Sequence, residues 1–186
     1  EKQIKVEFNN GGEEIFIADY IFINVGARPV IPEIEGLKQV NYLTSTTIMN
    51  LHELPDHLLI VGGSYIGLEF GQMYRRFGSE VTVLESSPRF LPKEDADIAD
   101  CISAFLKEED ISIKTGAQIK HFARHKNGIA ATLKSNDMEE VIHCSHLLLA
   151  TGRKSNADLL RADLAGIATD EHGFIKVDNA LQTNVK

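Results

Sequence analysis

The sequence predicts an α/β fold in which a parallel sheet carries helices and an antiparallel β-meander, and three observations lead there. Short unbroken apolar runs, such as "HLLIV" at 57–61, read as strands buried on both faces. They alternate with stretches of helical period. After residue 117 the pattern changes to short strands separated by turn residues.

Each element follows from its own residues. After "HLLIV" come Gly62, Gly63 and Gly67, then Ile66, Phe70, Met73 and Phe77 at helical spacing, with Gly78 placed to end that helix in a left-handed cap. "EVTVLE" at 80–85 is the next strand. "SSPRFLPKED" is a loop with two prolines, "ADIADCISAFLKEED" carries the apolar stripe of a second helix, and "ISIKTGA" supplies a third strand. Strand, helix, strand, helix, strand is one mononucleotide-binding half of a doubly wound, Rossmann-like sheet. "QIKHFAR", "GIAATLKS" and "EEVIHC", separated by the turns "HKNG" and "SNDM", form the meander, and "HLLLATG" returns as a final buried strand.

Composition excludes several classes. A formal charge of −8, with Lys and Arg scattered, leaves no basic surface for nucleic acid. No apolar run is long enough to span a membrane, and "EKQIKVEF" is unlike a signal peptide, so a soluble, cytoplasmic protein is expected. Cys101 and Cys144 have no metal or redox spacing. Cys101 shares a helical face with Ile98, Ile102 and Phe105 and reads as a core thiol. Cys144 with His143 and His146 lacks a fourth ligand, so no metal site is expected. His121 and His125 would pair on a helix, but their segment reads as strand, where they stand about 13 Å apart.

The strand-to-helix turn is the candidate site. Gly62 permits the tight turn, Gly67 lets the helix lie close to the sheet, and between them Gly63, Ser64, Tyr65 and Ile66 present amides at the positive end of the helix dipole, suited to a pyrophosphate. Ser64 stands where the glycine fingerprint has its second glycine; its hydroxyl either faces a phosphate or caps the helix. Glu85, followed by Ser86, ends the second strand, where an acid accepts hydrogen bonds from the adenosine ribose. It would repel a 2′-phosphate by about 4 kcal/mol at ~4 Å and an effective dielectric of ~20, favouring NADH over NADPH, with Arg89 near enough in sequence to blunt that preference.

One further pattern is an internal repeat. "EEIFIADYIFINVGARP" and "EEVIHCSHLLLATGRKS" align without a gap, placing Glu13 over Glu139 and Gly26 over Gly152. The second copy closes a strand-helix-strand unit and the first has none before it. Residues 1–50 are therefore expected to be the tail of one dinucleotide-binding domain, 51–153 a complete second one, and 154–186 the start of a return to the first. An excised piece of a larger protein is expected. "GFIKVDNALQTNVK" is expected to begin as a strand.

Together with "LTSTTIMNLHELPDHLLIVGGSYIGLEF", "FGSEVTVLESSPRFLPKEDADIAD" and "LLLATGRKSN" in order, this organisation resembles the pyridine nucleotide-disulfide oxidoreductases, flavoproteins with two dinucleotide sites. "FLPKEDADIAD" looks most like the mercuric-reductase-like branch that includes the reactive-chlorine-resistance reductases. The resemblance implies an NAD(H)-binding domain at 51–153, flanked by fragments of an FAD-binding domain. It implies hydride delivery from NADH to FAD in the full-length enzyme, and a homodimeric parent joined through a C-terminal domain. It also implies that Tyr65 covers the flavin side of the nicotinamide pocket, that Glu69 sits near the carboxamide, and that Gly152 lies by the nicotinamide ribose. From the residues alone, Tyr65 and Glu69 are equally a core tyrosine and a solvated glutamate. The family's usual proline is replaced here by Ser155, which alters the loop. No catalytic residue is expected within these 186 residues, and the electron acceptor stays open. The alternative is a non-catalytic NADH-sensing module. A self-sufficient short dehydrogenase is disfavoured because no Tyr-x-x-x-Lys pair occurs.

Overall fold

A computed structural model describes residues 2–135 and 138–185, and resolves them into two compact units. One is Arg28–Lys154. The other combines the stretches before and after it. The larger unit begins well before the boundary expected at residue 51: Leu37 and Val40 are buried in its core, and Leu43–Thr44 pairs with one of its strands.

In chain order the strands and helices are β1 (Gln3–Glu7), β2 (Glu13–Ile17), β3 (Ala27–Pro29), β4 (Leu43–Thr44), β5 (His57–Val61), α1 (Tyr65–Phe77), β6 (Glu80–Leu84), α2 (Ala96–Glu108), β7 (Ile111–Lys114), β8 (Gln118–His125), β9 (Gly128–Ser135), β10 (Met138–Cys144), β11 (His146–Leu149) and β12 (Arg153–Ser155). The larger unit holds a five-stranded parallel sheet, ordered β4-β11-β5-β6-β7, and an antiparallel meander, ordered β10-β9-β8. The expected turn "HKNG" joins β8 to β9. Asn136 and Asp137 of the expected turn "SNDM" lie outside the described residues.

The parallel strands are continuous apolar runs because both faces are covered. Leu59, Val61, Leu147 and Leu149 pack with Phe122, Ala131 and Leu133 of the meander, while Leu58, Ile60 and Leu148 pack with Tyr74 of α1 and Leu106 of α2. Each fully buried leucine contributes about 1.5–3 kcal/mol of transfer free energy, so this two-sided burial dominates the unit's stability.

The helices bury part of the faces their apolar patterns predict, with Phe70 and Met73 of α1 and Ile102 of α2 packed against the helix-side core, but the closest contacts fall elsewhere. On α1 the buried residues are Gly67, Gly71 and Tyr74, while Phe77, at the end of the expected stripe, is exposed. Glycine explains the shift. A Cβ on Gly71 would lie 3.2 Å from Ile60 Cδ1, and one on Gly67 would run into the Gly62 carbonyl oxygen, so backbone itself packs on the sheet there. Gly78 does end the helix in the left-handed region, its amide donating to the Arg75 carbonyl. On α2, Ala99 and Leu106 face the core while Ile98, Cys101 and Phe105 are exposed, so Cys101 is a surface thiol and not a core one. Arg75 ties the ends of the two helices: its guanidinium donates to the Glu109 carbonyl (2.9 Å), the Ser79 carbonyl (3.3 Å) and Asp110 Oδ2 (3.1 Å).

In the smaller unit β1 and β2 form a hairpin in which Lys5 pairs with Glu13. The two repeat copies diverge after their first strand. Residues 146–149 become β11 because β4 and β5 pair with it on either side, whereas residues 18–26 adopt no strand, have no pairing strand among the described residues, and leave Phe22 90% exposed. The strand expected from residue 173 is reduced to an isolated bridge between Ile175 and Thr169. Side-chain turns organise this segment instead: Asp170 Oδ1 accepts from His172 and Phe174 amides, and Asp178 Oδ1 from Ala180 and Gln182 amides. Ser155 starts a short helical turn at 156–160, its hydroxyl accepting from the Ala157 amide.

Candidate dinucleotide site

The C-terminal ends of β5, β6 and β11 open onto a cavity of about 650 Å³ within the larger unit, where ligands of open α/β sheets bind. At its floor β5 turns at Gly62, whose φ of 111° excludes side chains. There is no room for one either: a Cβ on Gly62 would strike the Ala150 carbonyl oxygen. The Gly62 amide donates to the Leu84 carbonyl at 2.9 Å and the Ala150 amide to the Val61 carbonyl at 2.7 Å, so the three strand ends are laced together beneath the cavity.

Glu85 follows β6 and is held from several sides. Its Oε2 accepts the Gly63 amide at 3.0 Å and its Oε1 the Ser87 amide at 2.8 Å, while its own amide donates to the Lys114 carbonyl. Ser86 adds a longer contact, 3.4 Å from its hydroxyl to Oε1. Ser64 is the N-cap residue of α1, with φ −94° and ψ 176°, and its hydroxyl makes no capping bond. The side chain is exposed, does not cap α1, and belongs to a residue that lines the cavity.

Eight of the expected residues line this one cavity: Gly62, Gly63, Ser64, Tyr65, Ile66, Glu85, Ser86 and Gly152. Gly67 lies beneath the turn, where it sets the approach of helix to sheet, and Glu69 is exposed on α1 outside the cavity. Tyr65 is a surface side chain at the cavity edge and not a core tyrosine. Gly152 carries a φ of 126°.

The sequence reading missed one wall. Leu91, Pro92, Lys93 and Glu94 line the cavity, as do Gln118 and Ile119. Phe90 is buried against the helix-side core, and the Arg89 guanidinium donates to the carbonyls of Pro92 (2.9 Å) and Glu94 (2.7 Å), curling the loop so that Lys93 borders the cavity. Arg89 therefore serves the loop and does not line the cavity; the cations that do are Lys93 and Arg153. The two prolines signalled a loop, but not where it folds.

The cysteines stand apart from the site. Burial pushes the Cys144 thiol up to about 12, which leaves it protonated and inert in the core. No group of three or more His, Cys, Asp or Glu side chains positioned for a metal occurs among the described residues. No helix among them is long and apolar enough to cross a membrane.

The family model described as pyridine nucleotide-disulphide oxidoreductase matches residues 1–186. A mercuric reductase of Streptomyces lividans is 41% identical over 97% of this chain and 38% of its own length. A probable pyridine nucleotide-disulfide oxidoreductase of Escherichia coli, RclA, is 39% identical over 97% of this chain and 40% of its own. Among solved structures, the Cu(II) complex of the HOCl-induced flavoprotein disulfide reductase RclA from Escherichia coli superimposes with a TM-score of 0.88 at 38% identity, covering 98% of this chain and 41% of that one. LpdA from Mycobacterium tuberculosis does so at 0.82 and 28% identity, covering 97% and 39%. The chain thus spans about two fifths of these relatives.

Proposed function

Because the chain belongs to the pyridine nucleotide-disulphide oxidoreductase family, we propose that the Arg28–Lys154 unit binds a nicotinamide dinucleotide, NADH in preference to NADPH, and that in the parent enzyme this unit presents it to FAD. The observation that carries the reading is the join between the glycine turn and the strand-end acid: Gly63 donates to Glu85 at the floor of a cavity large enough for the ligand.

The residues fit such a group. The Gly62–Gly63 turn has no side chains to hold a pyrophosphate away, and the first amides of α1 have no intrahelical acceptors, so they are open to phosphate oxygens. The second oxygen lone pairs of the Glu85 carboxylate remain for ribose hydroxyls. Gly152 and Tyr65 border the same cavity and would serve the nicotinamide end. When bound, the nicotinamide would supply a hydride, while this unit binds, orients and screens it. The smaller unit is assigned to the flavin-binding domain of the parent, and acceptor chemistry to segments beyond these residues.

Calorimetric titration of the 186-residue chain with NADH and NADPH tests the proposal. NADH is expected to bind more tightly, and Gly62→Ala, which forces a Cβ into the Ala150 carbonyl, is expected to abolish binding of both. A folded parent chain that binds neither nucleotide overturns it.

A further inference from the structure

The meander carries a second pair of chemistry-bearing side chains, far from the glycine turn in sequence. His125 of β8 and His143 of β10 lie on strands that are not neighbours, since β9 runs between them. Two strand spacings separate such backbones by about 9.6 Å. Yet the imidazole rings meet, with centroids 4.1 Å apart and planes inclined by 34°. The strand between them explains how. His143 is paired with Ala130, Ala130 with Ala123, and His125 with Gly128. Paired residues share a face of the sheet, so both rings stand on one face of the meander, with the small Ala130 of β9 between their strands.

The pair is anchored. The His143 carbonyl accepts from His57 Nδ1 at 2.9 Å, and the other ring nitrogen, Nε2, is hydrogen-bonded with the Thr82 hydroxyl at 3.0 Å. This fixes β10 to the parallel sheet at the residue whose side chain joins the pair. Both imidazoles are themselves exposed, so an ion reaching them keeps its remaining water ligands. Imidazole is the commonest protein ligand for divalent first-row ions, and the broad χ2 well of histidine lets this tilted pair open into a two-nitrogen fork at little cost.

We propose that His125 and His143 form a bis-imidazole site for a divalent transition-metal ion of the nickel and zinc class, clipping β8 to β10 across β9. The site holds two protein ligands, with water completing the shell. It is independent of the nucleotide cavity, whose lining includes neither histidine.

The test titrates the 186-residue chain with Ni(II) alone, by calorimetry and by proton NMR of the imidazoles. One ion per chain is expected, with paramagnetic broadening of the His125 and His143 ring signals ahead of the other histidines, and a rise in Tm with ion concentration. His125→Asn and His143→Asn are each expected to weaken binding at least tenfold, and His172→Asn to leave it unchanged. Asparagine is tolerated at these exposed positions, and thermal melts without metal establish that each variant is folded. Binding that survives either single substitution, or broadening that begins at another histidine, overturns the proposal.

Discussion

The amide of Gly63 donates to Oε2 of Glu85 at 3.0 Å, which makes the turn after β5 and the acid after β6 a single hydrogen-bonded unit. A hydrogen bond to a charged group is worth about 1.5–3 kcal/mol, so the carboxylate shapes the turn as well as any ligand on it. Glu85→Arg removes this acceptor and the charge opposing a 2′-phosphate. Titration of that variant is expected to show NADH affinity down by about tenfold or more and the gap to NADPH narrowed or reversed. An unchanged ratio of the two affinities would show that nucleotide choice is made elsewhere.

Ser64 supplies a second test. Its hydroxyl is uncommitted, since it makes no capping bond to α1. Ser64→Gly is expected to change NADH affinity by less than about tenfold, because a lost hydroxyl contact and a closer approach offset one another. Ser64→Val, branched and without a donor, is expected to weaken binding by more than about 1.4 kcal/mol, a factor of ten. Thermal melts confirm folding, and a folded valine variant with parental affinity would place the pyrophosphate away from this turn.

The two thiols are predicted to separate under alkylation. Cys101 is exposed on α2, whereas Cys144 is buried with its thiol pushed up to about 12. Only thiolate reacts. Iodoacetamide at pH 8 is expected to label Cys101 alone in the native chain and both residues in denaturant, read by peptide mass spectrometry. Native labelling of Cys144 would contradict the packing of β10 on the sheet.

An acid-side prediction concerns the pair at the helix ends. Arg76 donates to Glu109 Oε1 at 2.6 Å, and this hydrogen bond holds the Glu109 carboxyl below its ordinary value of 4.5. A lowered folded-state value contributes stability that is fully present above the ordinary value and is lost as pH falls through the folded one. The parent is therefore expected to melt above Glu109→Gln at pH 7, with the difference shrinking below pH 4.5. A difference that grows with acid would reverse the assigned sign.

How far the sequence could be read depended on whether burial leaves a mark on residue type. Leu58–Val61 and Leu147–Leu149 were legible because two covered faces demand an unbroken apolar run, and Glu85 because it ends such a run. The face of α1 was read in part: Phe70 and Met73 do pack on the core, but the closest contacts are made by Gly67 and Gly71, which carry no apolar signal. Cys101 was misjudged for the opposite reason, an apolar stripe on α2 broader than the part that packs. Lys93 escaped notice because its position depends on Arg89 gripping two carbonyls, a tertiary arrangement with no periodicity. The first repeat copy aligns with β10 and β11, but a strand forms only where neighbours pair with it, and residues 18–26 have none among the described residues.

The three bonds of the Arg75 guanidinium bear on how this unit breathes. They sit where α1 and α2 both end, at the opposite end of α1 from the glycine turn, and fasten those ends to each other. Amides in the last turns of both helices must then exchange with solvent in one concerted opening, while those around Ser64 exchange through small local excursions. Deuterium uptake should therefore proceed from the nucleotide end of α1 backward, leaving the mouth of the cavity free to adjust to its ligand while the far end stays fixed.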